Sequence, residues 1–412
     1  MLIEYICLLL LGSAAGVAAG LLPGLHVNNI GVLALPLLSV FDPIGFAIFL
    51  TAMATSQSFI NFIPSIFLGV PDEDTVLSLL PTHRLLIEGR GMEAVRITAK
   101  ACLYGTFLSL LLLPLAFLVV PFAYSSIRGV MAPVLIVMIS TLVIRERKSE
   151  KILWALATVL ISGYLGWVCL NLDTLSTTQV LLPMFSGLFG LSTLLTGLQT
   201  SSTAHKQELG CDTKISDRSL WRNSLLGAVG GLLVGLLPAM SPSQIGIFFQ
   251  EVTALKERAK GSLEDARIRE FITMVASLNA ADAMFSIFAV YLMGNPRSGV
   301  SVMIQDIFGQ IDLGLLALLA GVMLVSGLIS FKIHLWLGER FTVLSSNIDF
   351  RKLSAGCIVF VIVMVVALSG FLGFLIMCVS TLIGLVPALA GVSRTHCMGC
   401  LLLPTLVFFL GL

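Results

Sequence analysis

The sequence predicts an all-α polytopic membrane protein made of two inverted-topology repeats, each opening on a broken-helix hairpin followed by spanning helices. Three observations lead there. The 412-residue chain is 57% hydrophobic and 11% charged, with a mean hydropathy of +1.01, whereas soluble chains carry about 25% charged residues. Its apolar runs recur near the ~20 residues that carry a helix across a bilayer, not as the short alternating strands of a barrel. A Gly-Leu-x-Pro phrase also returns: GLLPGLHVNN at 20–29, GLLPAMSPSQ at 235–244 and GLVPALAGVS at 384–393.

Apolar segments fall at 2–20, 25–40, 44–69, 101–121, 129–144, 152–170 and 177–199. A polar stretch at 200–222 follows, then segments at 223–238, 241–252, 270–293, 313–337, 353–370, 371–389 and 395–411. Several are too short to span at 1.5 Å per residue, and the short ones gather around the repeated phrases. The net charge of +1 points to no nucleic-acid partner. Most of the eight cysteines lie in apolar runs and imply no disulfide framework. Cys397-Met-Gly-Cys400 after His396 has metal-like spacing, but no second pair accompanies it, so no metal or cofactor is expected. Arg84 is the first basic residue, which argues against a cleaved signal peptide.

Basic loops orient the chain. One topology puts 21 of the 24 Lys and Arg inside, in loops at 84–100, 145–151, 206–222, 256–269 and 332–352, and leaves Arg128, Arg297 and Arg394 apart from that set. It places the N-terminus outside and the 200–222 linker in the cytoplasm, between a first membrane repeat (1–199) and a second (223–412). The first hairpin then has its ends outside and the second its ends inside. Residue matches support the duplication: Gly20-Leu-Leu-Pro23 with Gly235-Leu-Leu-Pro238, and Ile30-Gly31 with Ile245-Gly246, both 215 apart. Gly69-Val-Pro71 matches Gly294-Asn-Pro296 at 225 apart. Inverted repeats with discontinuous helices characterise secondary transporters.

A helix broken inside a bilayer exposes backbone groups, tolerable only against protein or a wet cavity. There the amides of a helix start suit an anion and the carbonyls of a helix end suit a cation. Gly20 and Gly24 permit a tight tip, and Pro23 stops the helix. Asn28 and Asn29, like Ser241 and Ser243 after Gly235 and Pro238, can cap the returning helix. These are the candidate substrate-binding residues, with the structural role of satisfying the turn as the competing account. Arg297, after the second Gly-x-Pro, is either an anion clamp or a solvated surface residue. Asp282 is a mid-span carboxylate, expensive in lipid and therefore a candidate for cation coupling with Asn279 and, in the first repeat, Asn61. Pro64 is expected to kink the span that holds Asn61. Arg394 and His396 read first as an interfacial turn and second as gate residues.

Together the Gly-Leu-Leu-Pro-Gly at 20–24, FSGLFGLSTLL at 185–195, the second Gly-Leu-Leu-Pro and the two Gly-x-Pro phrases resemble the large permease subunit of the tripartite tricarboxylate transporters (TctA type), nearest the shorter archaeal relatives. The resemblance spans almost the whole chain. It implies inward movement of carboxylates driven by an ion gradient, Na⁺ or H⁺, with a small membrane subunit and an extracytoplasmic binding protein. By position it lays the first family tip on Gly20, Pro23 and Gly24, the second on Gly235 and Pro238, and the family's polar stretch on Asn279 and Asp282. The chain departs at Pro238-Ala239, where the family favours Pro-Gly, at His26-Val27 and Ser241-Pro242, and in the charges after both Gly-x-Pro phrases. A homodimer is left open.

An organic-anion permease is thus the leading expectation. A membrane enzyme would need paired catalytic groups, and none stands out; a flippase for lipid or another small molecule is the other alternative. The chain carries no Gly-x-x-x-x-Gly-Lys-Ser/Thr phosphate loop.

Overall fold

In the computed structural model every described element is a helix. The description covers the chain except residues 1, 23–26, 35–40, 69–74, 76–80, 83, 87, 129–130, 145, 147, 173, 176, 200–212, 214, 237–241, 243–244, 247–248, 250–263, 295, 346–349 and 412. Seven stretches within it are long and apolar enough to cross a membrane. Contacts gather the chain into two units: one from 1–121, 202–237 and 241–349, the other from 122–201, 238–240 and 350–412. Each half of the sequence contributes to both.

The first unit begins with α1 (Leu2–Leu21), α2 (Val27–Ala34), α3 (Pro43–Ile60) and α4 (Phe62–Leu68). Asp42 caps α3 by accepting from the Gly45 N–H at 3.3 Å, and Pro43 supplies the preset first residue. The expected kink is present: α3 and α4 meet at a turn on Asn61, and Pro64 has no N–H for the Ile60 carbonyl. α5 (Gly91–Arg128) follows. Later come α10 (Asp217–Leu236), α11 (Glu264–Met293), α12 (Gly299–Phe308) and α13 (Leu313–Ser345). α10 starts inside the stretch read as linker because Ser216 accepts from the Ser219 N–H and Asp217 favours the first turn. The second Gly-x-Pro is a helix-to-helix turn. Gly294 takes φ +61°, which a side chain would resist, and Ser298 opens α12 in a reciprocal cap with Ser301.

Three of the basic loops meet at one end of this unit. Arg90 bonds Asp265 at 3.2 Å, Lys100 reaches Thr213 at 3.4 Å, and Arg222 pairs with Glu270 at 3.1 Å. Within that end, Glu93 and Arg269 are buried and form a 2.7 Å ion pair.

The second unit holds α6 (Met131–Ile144), α7 (Ser149–Leu170), α8 (Thr177–Phe185), a π turn at Ser186–Leu191, α9 (Ser192–Gln199), α14 (Phe350–Ala390), a 3-10 turn at Arg394–Met398, and α15 (Gly399–Leu410). The π turn falls on the SGLFGL of the 185–195 motif. α14 folds sharply at Gly370, whose φ is +64°. A Cβ on Gly373 would lie 3.6 Å from Val365, so the chain doubles back there, as the separate segments 353–370 and 371–389 anticipate. The third Gly-Leu-x-Pro lies within α14, and Pro387 accepts the Val392 N–H at 3.0 Å; it ends a helix and builds no hairpin tip. The turn after it lies beside the 145–151 loop: Lys151 donates to the Gly391 carbonyl at 2.6 Å, and Glu146 accepts from the Ser393 N–H and from His396 Nε2, both at 2.9 Å. Arg394, left apart from the basic set on sequence, therefore sits at the same end as Lys151. Burial disfavours the charged Glu146 carboxylate, but Ser393, His396 and Lys151 outweigh it and hold the carboxyl below its ordinary value.

Candidate functional site

The site is built on two helix pairs of the first unit. α1 and α3 run parallel and touch through small residues. A Cβ on Gly12 would strike the Phe49 carbonyl; one on Gly16 would come 2.8 Å from Ser56 Cβ; one on Gly20 would come 2.8 Å from Ile60 Cβ. α10 and α11 repeat this. Gly227 abuts the Met274 carbonyl, a Cβ on Gly231 would lie 2.6 Å from Ala281 Cβ, and one on Gly235 would lie 3.2 Å from Phe285 Cβ. Each contact in the first pair maps onto one in the second by adding 215 on the first helix and 225 on the other. Gly20 and Gly235, both candidates from sequence, thus lie in the last turns of α1 and α10 against a neighbouring helix, Gly20 too closely for a side chain and Gly235 with little room to spare.

The break after α3 gathers a buried polar network. Its carbonyls, turned out of the helix ladder, need donors in an apolar surrounding. Asn279 Nδ2 donates to the Ser58 carbonyl at 3.0 Å and to Asn61 Oδ1 at 3.3 Å. The two asparagines are 3% and 2% exposed, so this is an interior contact between the halves of the sequence. His334 Nδ1 stands 2.7 Å from the Phe59 carbonyl and Nε2 stands 3.1 Å from Thr98 Oγ1. Facing a carbonyl, Nδ1 must carry the ring proton. Ser330 donates to Ser56 Oγ at 2.8 Å, and Cys102 reaches the Ala276 carbonyl at 3.4 Å. Gln57 Oε1 accepts the backbone N–H of Val27, the first residue of α2, at 3.1 Å.

The structure joins two of the three candidate coupling residues, Asn61 and Asn279. Asp282 lies about one turn further along α11, beside Gly231 and partly exposed in a span otherwise largely buried. Arg297 is half-buried at the start of α12, with its N–H on Ser301 Oγ at 2.8 Å. α12 packs against α2, where Met303 meets Gly31, so the helix that Arg297 precedes stands against the returning helix of the first repeat. Asn28 and Asn29 are in the first turn of α2; their side chains, and Pro23, Gly24, Pro238, Ser241 and Ser243, lie outside the described residues. Sequence reasoning passed over His334, Thr98 and Ser330. A histidine inside an apolar run was the available signal for the first; single hydroxyls in spans give none, because most bond their own helix.

The tripartite tricarboxylate transporter TctA family matches residues 6–399. The chain belongs to this family. It is also 28% identical, over 98% of both chains, to an uncharacterised protein of Methanocaldococcus jannaschii. No solved structure matches it. As a TctA-family protein it is a multi-pass membrane subunit of a transporter and not an enzyme, and the family works with partner subunits.

Proposed function

We propose that this TctA-family chain is the permease of a secondary active transporter for organic anions, di- or tricarboxylates, coupled to Na⁺ or H⁺ and working by alternating access around the two hairpin tips. The observation that carries the reading is the repeated helix pair, α1–α3 and α10–α11, with Asn279 of the second bonded to the break of the first. Two tips at matched contacts, served by loops that suggest opposite orientation, are the arrangement that lets one site open to either side. The start of α2 offers amides to a carboxylate, and Arg297 stands on a helix packed against α2. Asp282 carries the coupling ion, with Asn61 and Asn279 shaping the break. The small membrane subunit and the extracytoplasmic binding protein of the family deliver substrate to this chain.

The test is uptake of labelled citrate and smaller carboxylates into proteoliposomes under imposed Na⁺ or proton gradients, with candidate binding proteins added. Gradient-driven uptake that falls at least about tenfold in Asp282→Asn is expected. Uptake indifferent to that change removes Asp282 from coupling; no uptake with any partner and any gradient overturns the reading.

A further inference from the structure

The two helix pairs share their packing, but one hydrogen bond of the first cannot be made at the matching residues of the second. In the first, Gln57 reaches from α3 to the N–H of Val27, one of the four amides a helix start leaves unsatisfied. Gln57 is 4% exposed, so the bond lies in the interior and holds the beginning of α2 against α3. The glycine contacts set the register of the second pair, and that register puts Asp282 at the place of Gln57 and Pro242 at the place of Val27. Proline has no N–H. Donor and acceptor have therefore both changed: an amide has become a carboxylate, and the backbone donor it met is gone. Pro242 itself is helical and buried.

We infer that Gln57 is a positioning residue that staples the start of α2 at the first tip, through a bond that Pro242, lacking an N–H, cannot donate at the matching place of the second pair. This rests on the transport reading only for its consequence on substrate. A fixed α2 start presents its remaining amides to an anion in one geometry, so losing the staple weakens binding more than turnover.

The test compares the native chain with Gln57→Met, which keeps the volume and loses the acceptor, and Gln57→Glu, which keeps an acceptor. Hydrogen–deuterium exchange of the purified protein in nanodiscs reads the staple without any substrate. Exchange across 22–34 is expected to rise about tenfold in Gln57→Met and return toward native in Gln57→Glu. In citrate uptake, Gln57→Met is expected to raise KM about tenfold with Vmax within about twofold. Unchanged exchange in Gln57→Met overturns the staple. Faster exchange with unchanged KM overturns the positioning role. If the native chain carries no substrate at all, the transport reading fails, and the exchange result still decides the staple. A converse arm installs the bond: Pro242→Val with Asp282→Gln is expected to slow exchange across 237–249 relative to either single change. No protection in the double variant overturns the register equivalence of the tips.

Discussion

The pairs α1–α3 and α10–α11 are alike in backbone and unlike in chemistry. Gly12, Gly16 and Gly20 find their neighbours just as Gly227, Gly231 and Gly235 do. Across the same faces, Ser56-Gln57-Ser58 in one becomes Ala281-Asp282-Ala283 in the other, and Asn279 stands where the first has Ala54. Close approach of two helices constrains the small residues; it leaves the side chains beside them free to diverge. The same helix packing therefore occurs twice, while the amide, carboxylate and hydroxyl groups beside it differ between the pairs.

The largest effect should come where the copies are tied asymmetrically. Arg269 stands where the first pair has Ile44, and its buried partner Glu93 comes from the other half of the sequence. Glu93→Ala leaves the buried Arg269 guanidinium only the longer contact to Asp265 at 3.7 Å, and is expected to cost about 3 kcal/mol, read as loss of monodisperse protein; an apolar replacement of both Glu93 and Arg269 should recover much of it. Next, Gly16→Val and Gly231→Val each push a side chain into a neighbouring helix and should cost about 1–3 kcal/mol in thermal unfolding. Equal losses sustain the likeness of the pairs, and tolerance at one site alone breaks it. A double-mutant cycle on Asn61→Ala and Asn279→Ala should give a coupling of about 1 kcal/mol. Additive losses would mean that the contact between the halves does nothing for stability.

The smallest effect lies outside both pairs and sets the background against which they are compared. The Glu146 carboxyl is held below its ordinary value. Its stabilisation is therefore present above the ordinary carboxylate range and lost as pH falls through the lowered value. Native protein should lose its advantage over Glu146→Gln below about pH 4.5, by a melting shift on the order of 1 °C, since the side chain, 15% exposed, keeps some contact with water.

Much of this was legible in the sequence, for identifiable reasons. Hydropathy located the spans because lipid demands continuous apolar helix, and Pro64 marked the break because it lacks an N–H. Gly20 and Gly235 were visible as repeated phrases; their register against Ser56 and Ala281 was not, because contact between helices leaves no period in one chain. Asn61 and Asn279 could be named singly, but their hydrogen bond depends on how α3 meets α11. His334 was missed because an isolated polar residue in a span shows its partners only in three dimensions. Arg394 was set apart because its side of the membrane depends on the reversals at Gly370 and Gly391, where glycines with φ of +64° turn the chain.

The interleaving of the two units bears on how the chain is made. The first unit draws on residues up to 349, and the second reaches back from 412 to 122. A ribosome that has finished the first half has therefore completed neither. Glu93 emerges long before Arg269, and Asn61 long before Asn279, so the nascent chain carries an acid paired only with its neighbour Arg90 and an open helix break until the later partners are inserted. Assembly of this protein is a matter of waiting: the early helices enter the membrane as halves of contacts that only the late helices can close.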